Sequence, residues 1–186
     1  MIDKAQSWDA YWESSNTGGK LYALIATFYR RFIIRPNLSR SIEKYFPHGT
    51  ELLHAGCGSG EADESLKDQY ALIGLDLSAV ALRRYAQNVP NGKTIQASIF
   101  QMPFQEHSIK GIYNLGVMEH FTEEDIEKIL IEFHRVLKPG GFLFLTEPAF
   151  TGLAGKGHEA DHGARRFHLQ QVKALLLRHD FVWVTG

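Results

Sequence analysis

The residues with the clearest chemical potential in this 186-residue chain fall in two places. The first is Gly56-Cys57-Gly58-Ser59-Gly60, followed by Asp76 sixteen positions past Gly60. Glycines let a backbone pass close to a ligand and adopt positive φ, and a helix starting beside them presents free N–H groups. A carboxylate ending the next strand accepts hydrogen bonds from both hydroxyls of a ribose. Loop and acid together read as nucleoside binding. The spacing is G-x-G-x-G rather than the G-x-G-x-x-G of dinucleotide folds, which suits an adenosyl ligand better than a pyrophosphate. The second place is His158-Glu159-Ala160-Asp161-His162, a literal H-E-x-x-H with His168 beyond it, the pattern of a zinc hydrolase. Zinc binding needs both histidines on one face of a packed helix, but Gly155, Gly157 and Gly163 flank the motif and no apolar stripe accompanies it. Arg165 stands where the turn glycine would be, and no methionine follows. The segment reads as a solvated loop and no metal is expected; a zinc metallohydrolase is the remote alternative.

Elements that position the first group alternate along the chain. Apolar residues recur at helical spacing from Leu21 to Ile33, ending at Pro36, and Asn37 is placed to cap a second helix carrying Leu38, Ile42, Tyr45 and Phe46. From Glu51 the pattern becomes strand (51–55), glycine loop, polar helix (about 61–69), strand (71–76), and a helix capped by Ser78 running to about Asn88. Strands follow at 93–97 and 109–115. Thr122 then caps a helix whose stripe is Ile126, Ile129, Leu130, Phe133, Val136 and Leu137, and which Lys138-Pro139-Gly140-Gly141 ends. Phe142 to Thr146 is apolar throughout, as in a strand covered on both faces. A helix from about Leu169 to His179 and a sixth strand at 181–184 close the series. The expected fold is α/β, a doubly wound, mostly parallel sheet with helices on both faces. It is one domain, with N-terminal helices in residues 1–48 and the cofactor-binding core in 49–186.

Composition narrows the class of function. Twenty Lys and Arg against 21 Asp and Glu leave a formal net charge of -1, and the basic pairs Arg30-Arg31, Arg83-Arg84 and Arg165-Arg166 are isolated, which argues against a nucleic-acid substrate. With 44% hydrophobic residues and no apolar run near 18, the chain reads as globular and not membrane-spanning. The single Cys57 and the lack of a leader pattern point to the cytoplasm.

Five segments in order, Leu52 to Gly60, Gly74-Leu75-Asp76-Leu77-Ser78, Met102-Pro103-Phe104, Gly116-Val117-Met118-Glu119-His120-Phe121 and Leu137-Lys138-Pro139-Gly140-Gly141, resemble a class I S-adenosylmethionine-dependent methyltransferase. The resemblance spans residues 50–147 and is nearest the small-molecule branch, such as the methyltransferases of quinone biosynthesis. It implies a Rossmann-like fold and S-adenosylmethionine as cofactor, with S-adenosylhomocysteine as product. Gly56, Cys57, Gly58 and Gly60 would face the methionine part, Asp76 the ribose, Leu77 the adenine face, Ser98 and Ile99 the adenine edge, and Asn114 and Leu115 the methionine end. Trp8-Asp9-Ala10-Tyr11-Trp12 resembles an aromatic segment that closes over the cofactor, which adds Trp12.

Three positions depart from the family pattern: His54, Ser98 and Lys110 stand where acids are usual. His54 still offers one hydrogen bond to the cofactor, and Ser98 still reaches an adenine amine. His120, six residues after Asn114, and Glu147, at the end of the fifth strand, are the catalytic candidates. The expected activity is methyl transfer to a small-molecule acceptor by a monomer or homodimer. The alternative is a domain that binds S-adenosylmethionine or S-adenosylhomocysteine without catalysis. The family usually adds a seventh, antiparallel strand, which this chain is expected to lack.

Overall fold

The computed structural model describes residues 2–14, 30–146 and 169–182. Five strands, β1 (Glu51–Ala55), β2 (Ala71–Asp76), β3 (Lys93–Gln96), β4 (Ile109–Leu115) and β5 (Leu137–Thr146), form one sheet in the order β3-β2-β1-β4-β5. Every pairing is parallel. The chain steps outward from β1 to β3 on one side and from β4 to β5 on the other, so the order reverses between β1 and β4, where this architecture opens a crevice at the carboxyl ends.

Strand alternation assigns each side chain to a face. Leu53, Ala55, Ile73, Leu75 and Ile112 pack against the α4 helix (Glu123–Val136) and the α5 helix (Leu169–Arg178) through Ile129, Phe133 and Leu175. Leu52, Leu72 and Tyr113 face the other way, against α2 (Arg35–Tyr45) and α3 (Ala79–Asn88) through Leu38, Ile42 and Tyr85. Phe133 and Tyr113 are completely buried, each contributing on the order of 2 kcal/mol. Tyr85 lies against glycine backbone: a β-carbon at Gly60 would come within 2.5 Å of its ring, and one at Gly74 within 2.7 Å.

Several local expectations are corrected. Pro36 does not stop a helix: Arg30–Ile34 makes a π-helical turn that runs directly into α2, with Pro36 at the second position of α2. Asn37 is therefore inside the helix and caps nothing; its amide donates to the Ile33 carbonyl at 2.8 Å. Residues 15–29, which hold much of the first expected helix, lie outside the described residues. After the glycine loop the chain makes only a short 3-10 helix, Glu61–Ser65, and then turns, in place of a helix to Gln69. Helix α4 ends at Val136, before the glycines, because Leu137 already turns extended and pairs with Ile109; the register then jumps so that Gly111 meets Phe142, leaving Lys138–Gly141 as a bulge. Phe181 and Val182 are not in a strand, and the rest of the expected sixth strand lies outside the described residues.

The helix α1 (Ile2–Ser14) is fastened to the N-terminus of α3. Ser78 caps α3, its hydroxyl accepting from the Ala81 N–H at 3.1 Å. That hydroxyl donates in turn to the Asp9 carboxylate, which also accepts from the Val80 N–H at 3.2 Å. Arg84 donates to the Trp12 carbonyl at 2.6 Å and lies beside the Trp12 ring.

Candidate cofactor-binding site

Gly56, Gly58 and Gly60 all have positive φ, at 72°, 53° and 68°. The loop turns back at once, since the Gly56 and Cys57 N–H groups donate to the Leu75 carbonyl at 2.7 and 3.0 Å. Asn88 holds its outer limb through the Ser59 carbonyl at 2.8 Å. The Gly58 N–H donates to one oxygen of Asp76 and the Ser78 N–H to the other, both at 2.9 Å. These two bonds fix the carboxylate under the loop and leave lone pairs for a ligand. Burial pushes the Asp76 carboxyl up, and the Ser78 and Gly58 N–H groups oppose that rise. Cys57 is buried, and burial followed by the charges of Asp76 and Asp63 pushes its thiol well up, so it is a neutral packing group.

A cavity of about 980 Å³ opens above this loop. Of the residues expected in the site, His54, Gly56, Cys57, Gly58, Gly60, Asp76, Leu77, Ser98, Ile99, Leu115, Trp12 and His120 all line it. Asn114 does not. It points to the opposite sheet face and donates to the Ala55 carbonyl at 2.6 Å, bracing β1 from below. Glu147, His158, His162 and His168 lie outside the described residues. Among the described residues no cluster of His, Cys, Asp and Glu is arranged to hold a metal, and no helix is long and apolar enough to cross a membrane.

The cavity has two distinct ends. Near Asp76, its wall is Leu77, Ala97, Ser98, Ile99, Phe100 and Phe121, with the Phe100 and Phe121 rings 5.3 Å apart edge to face. The Ser98 hydroxyl accepts from the Phe100 N–H at 3.2 Å. Glu132 of α4 secures this segment from behind, accepting from the Met102 N–H at 2.6 Å and from Arg135, while Arg135 donates to the Phe104 carbonyl at 2.9 Å. The other end is largely apolar, lined by Ile33, Ile34, Leu38, Leu115 and Phe144 together with Asn37. Phe144 on β5 is three strand spacings from the strand of Asp76, or about 14 Å. Trp8, Tyr11 and Trp12 of α1 also line the cavity: a β-carbon on Gly58 would sit 2.7 Å from the Trp12 ring, and Trp8 meets His120 edge to face at 5.4 Å.

Sequence reasoning did not find Asp9, Asp63, Phe100 or Glu132. Asp63 is buried with no exposed surface, and both its oxygens lie 3.0 Å from Nδ1 of His54. Tyr85 and Tyr113 face the same carboxylate; burial first and the Asp63 charge second push both phenols well above their ordinary range. The charged side chains on the cavity wall are Glu61, Asp76 and Asp125 against Lys128, so the described lining is acidic.

A glycine loop and a strand-end carboxylate at the switch point of a doubly wound sheet define a nucleoside-binding domain. The chain belongs to the methyltransferase domain family, which matches residues 53–145. S-adenosylmethionine is the cofactor that goes with this membership. An uncharacterized methyltransferase of Synechocystis is 33% identical over 100 residues, covering 53% of this chain and 47% of its own. A tRNA (carboxymethyluridine(34)-5-O)-methyltransferase of Arabidopsis thaliana is 28% identical over 130 residues, 68% of this chain and 31% of its own. A demethylmenaquinone methyltransferase of Chlorobaculum tepidum is 30% identical over 100 residues, 53% of this chain and 40% of its own. The chain thus spans about half or less of the length of these relatives. The fold is that of a SAM-dependent methyltransferase from Archaeoglobus fulgidus, with a TM-score of 0.69 at 20% identity over 86% of this chain and 73% of that one. The site fits the cofactor on its own terms, because an acidic lining suits a sulfonium and an ammonium.

Proposed function

We propose that the protein transfers a methyl group from S-adenosylmethionine to a small-molecule acceptor, leaving S-adenosylhomocysteine. The observation that carries this reading is the shape of the cavity: past the loop that takes the nucleoside lies an apolar end walled by Ile33, Ile34, Leu38 and Phe144. Its volume of about 980 Å³ falls in the range of small-molecule sites. A polyanion is disfavoured by the acidic lining and the net charge of -1.

When bound, the cofactor supplies a methyl already activated on a sulfonium. The protein's part is then to align the acceptor with that methyl and to exclude water. Trp8, Tyr11 and Trp12 form the cover that keeps water out, and Gly56 to Gly60 with Asp76 fix the donor's position. His120, on the wall against Trp8, would take a proton from an acceptor that must lose one. Glu147 keeps its candidacy as a second acceptor contact.

The deciding experiment supplies methyl-labelled cofactor with a metabolite extract, total RNA and a protein extract in separate reactions. Label in an organic-soluble small molecule is the expected result. Label confined to RNA or to protein overturns the small-molecule reading.

A further inference from the structure

The helical stretch that walls the apolar end of the cavity carries one polar residue. Positions 33, 34, 37 and 38 line the cavity at the spacing of a single helix face, and they read Ile, Ile, Asn and Leu. Asn37 caps nothing, and asparagine is a poor residue inside a helix because its side chain competes for backbone groups. Its one bond fixes its orientation. The Ile33 carbonyl, 2.8 Å away, can only accept, so the amide nitrogen faces it and the amide oxygen is left over. Asn37 is exposed, and its oxygen accepts no hydrogen bond from the described residues. The backbone just before it widens into the π-helical turn Arg30–Ile34, a local form that recurs at functional sites.

The neighbours of Asn37 on the wall are Ile33, Ile34 and Leu38, with Leu115 and Phe144 closing the same end, whereas Asp76 belongs to the nucleoside end. A pure hydrocarbon filling the apolar end would strip water from the amide oxygen and return nothing for it. A ligand bearing an O–H or N–H restores the bond, and a site built around such a bond rejects the analogue without the donor. We infer that Asn37 is a specificity-determining residue: the methyl acceptor has an apolar body and carries a hydroxyl or amine N–H that donates to Oδ1 of Asn37. The inference rests on the small-molecule reading above and narrows its substrate class.

The test measures binding, so it needs no knowledge of the natural acceptor. The full chain, saturated with S-adenosylhomocysteine, is titrated by saturation-transfer NMR with indole, which has one N–H donor and no competing oxygen, and with benzothiophene, a bicycle of nearly the same shape without a donor. The comparison is made for the wild type and for Asn37→Leu, a substitution at an exposed position by a better helix former. The ratio of indole to benzothiophene affinity is expected to fall by about tenfold from the wild type to the variant, the scale of a lost hydrogen bond and a relieved buried acceptor. Affinity for S-adenosylhomocysteine is expected to stay the same. A ratio that does not change, or equal weakening of the two bicycles, leaves Asn37 with its helix bond alone and overturns the proposal. So does a wild type that takes up neither bicycle. A folded variant that binds S-adenosylhomocysteine weakly assigns Asn37 to the cofactor instead and overturns it as well. Failure of the underlying reading shows elsewhere, as methyl label confined to RNA or protein in the experiment above, whatever the ratio of the two bicycles.

Discussion

Asp9 and Ser78, 69 positions apart in the chain, are joined by a hydrogen bond from the serine hydroxyl to the carboxylate, and the same carboxylate accepts the Val80 N–H. One side chain of α1 thus caps the helix that follows Asp76. Asp9→Ala is expected to weaken the docking of α1 by about 1 kcal/mol, the usual worth of a capping side chain. Hydrogen exchange of residues 2–14 should speed up while β1 and β4 stay protected; unchanged exchange would mean that α1 is held by its aromatic residues alone. The Ser78 hydrogen bond lowers the Asp9 carboxyl below the ordinary carboxylate range. Because the folded value is depressed, the stabilisation is present at neutral pH and is lost as pH falls through that lowered value.

Replacing Asp76 by Ala removes the acceptor of the Gly58 and Ser78 N–H groups along with the ribose contact. Affinity for S-adenosylhomocysteine should drop by roughly tenfold to a hundredfold, as for loss of a hydrogen bond to a charged group. Calorimetry giving the wild-type affinity would remove Asp76 from the site.

A third prediction concerns the loop and its cover. Gly58→Ala forces an alanine to φ near +53° and brings its β-carbon within 2.7 Å of Trp12. The backbone term alone is about 1–2 kcal/mol, and the ring contact adds to it. In a Trp12→Ala background only the backbone term should remain. Urea denaturation of the four proteins in this cycle tests the contact: strictly additive losses would show that Trp12 does not rest on Gly58.

Glu132 offers a test behind the adenine end. Burial pushes its carboxyl up, but hydrogen bonds from Arg135 and the Met102 N–H prevail and hold it below the ordinary carboxylate range. Glu132→Ala should destabilise the protein by about 1–3 kcal/mol at pH 7 by stranding the Met102 N–H. Since the folded value is depressed, the wild type loses this advantage as pH falls through it, and the gap between the two proteins should narrow. A gap that is the same at neutral and acid pH would assign the loss to packing.

Sheet and glycine loop were readable because their signals are local. Glu51–Ala55, Ala71–Asp76 and Ile109–Leu115 are apolar runs bounded by turn residues, and the structure gives these three strands with the expected limits. Ser78 and Thr122 cap the helices assigned to them because a cap is decided within four residues. Asn37 shows where that logic ends: it has the right residue type, but the preceding π-helical turn had already begun the helix. The partners of Asp9 and Asp63 were beyond reach for a related reason. No residue pattern ties position 9 to 78, or an acid after the glycine loop to a histidine before it; the docking of α1 on α3 brings the first pair together, and the turn of the glycine loop the second. A single step of strand alternation sets Asn114 on the face opposite Tyr113 and Leu115, and of these three Leu115 reaches the cavity wall.

Tyr85 between Gly60 and Gly74 bears on how this sequence can change over time. Gly60 is held by its own φ of 68° as well as by the ring, whereas Gly74 is held by the ring alone. The two glycines are therefore coupled to the tyrosine to different degrees. In relatives with a small residue at the position of Tyr85, a side chain becomes admissible at that of Gly74, while the position of Gly60 stays glycine. Position 74 should co-vary with position 85, and the ligand-facing loop should not follow.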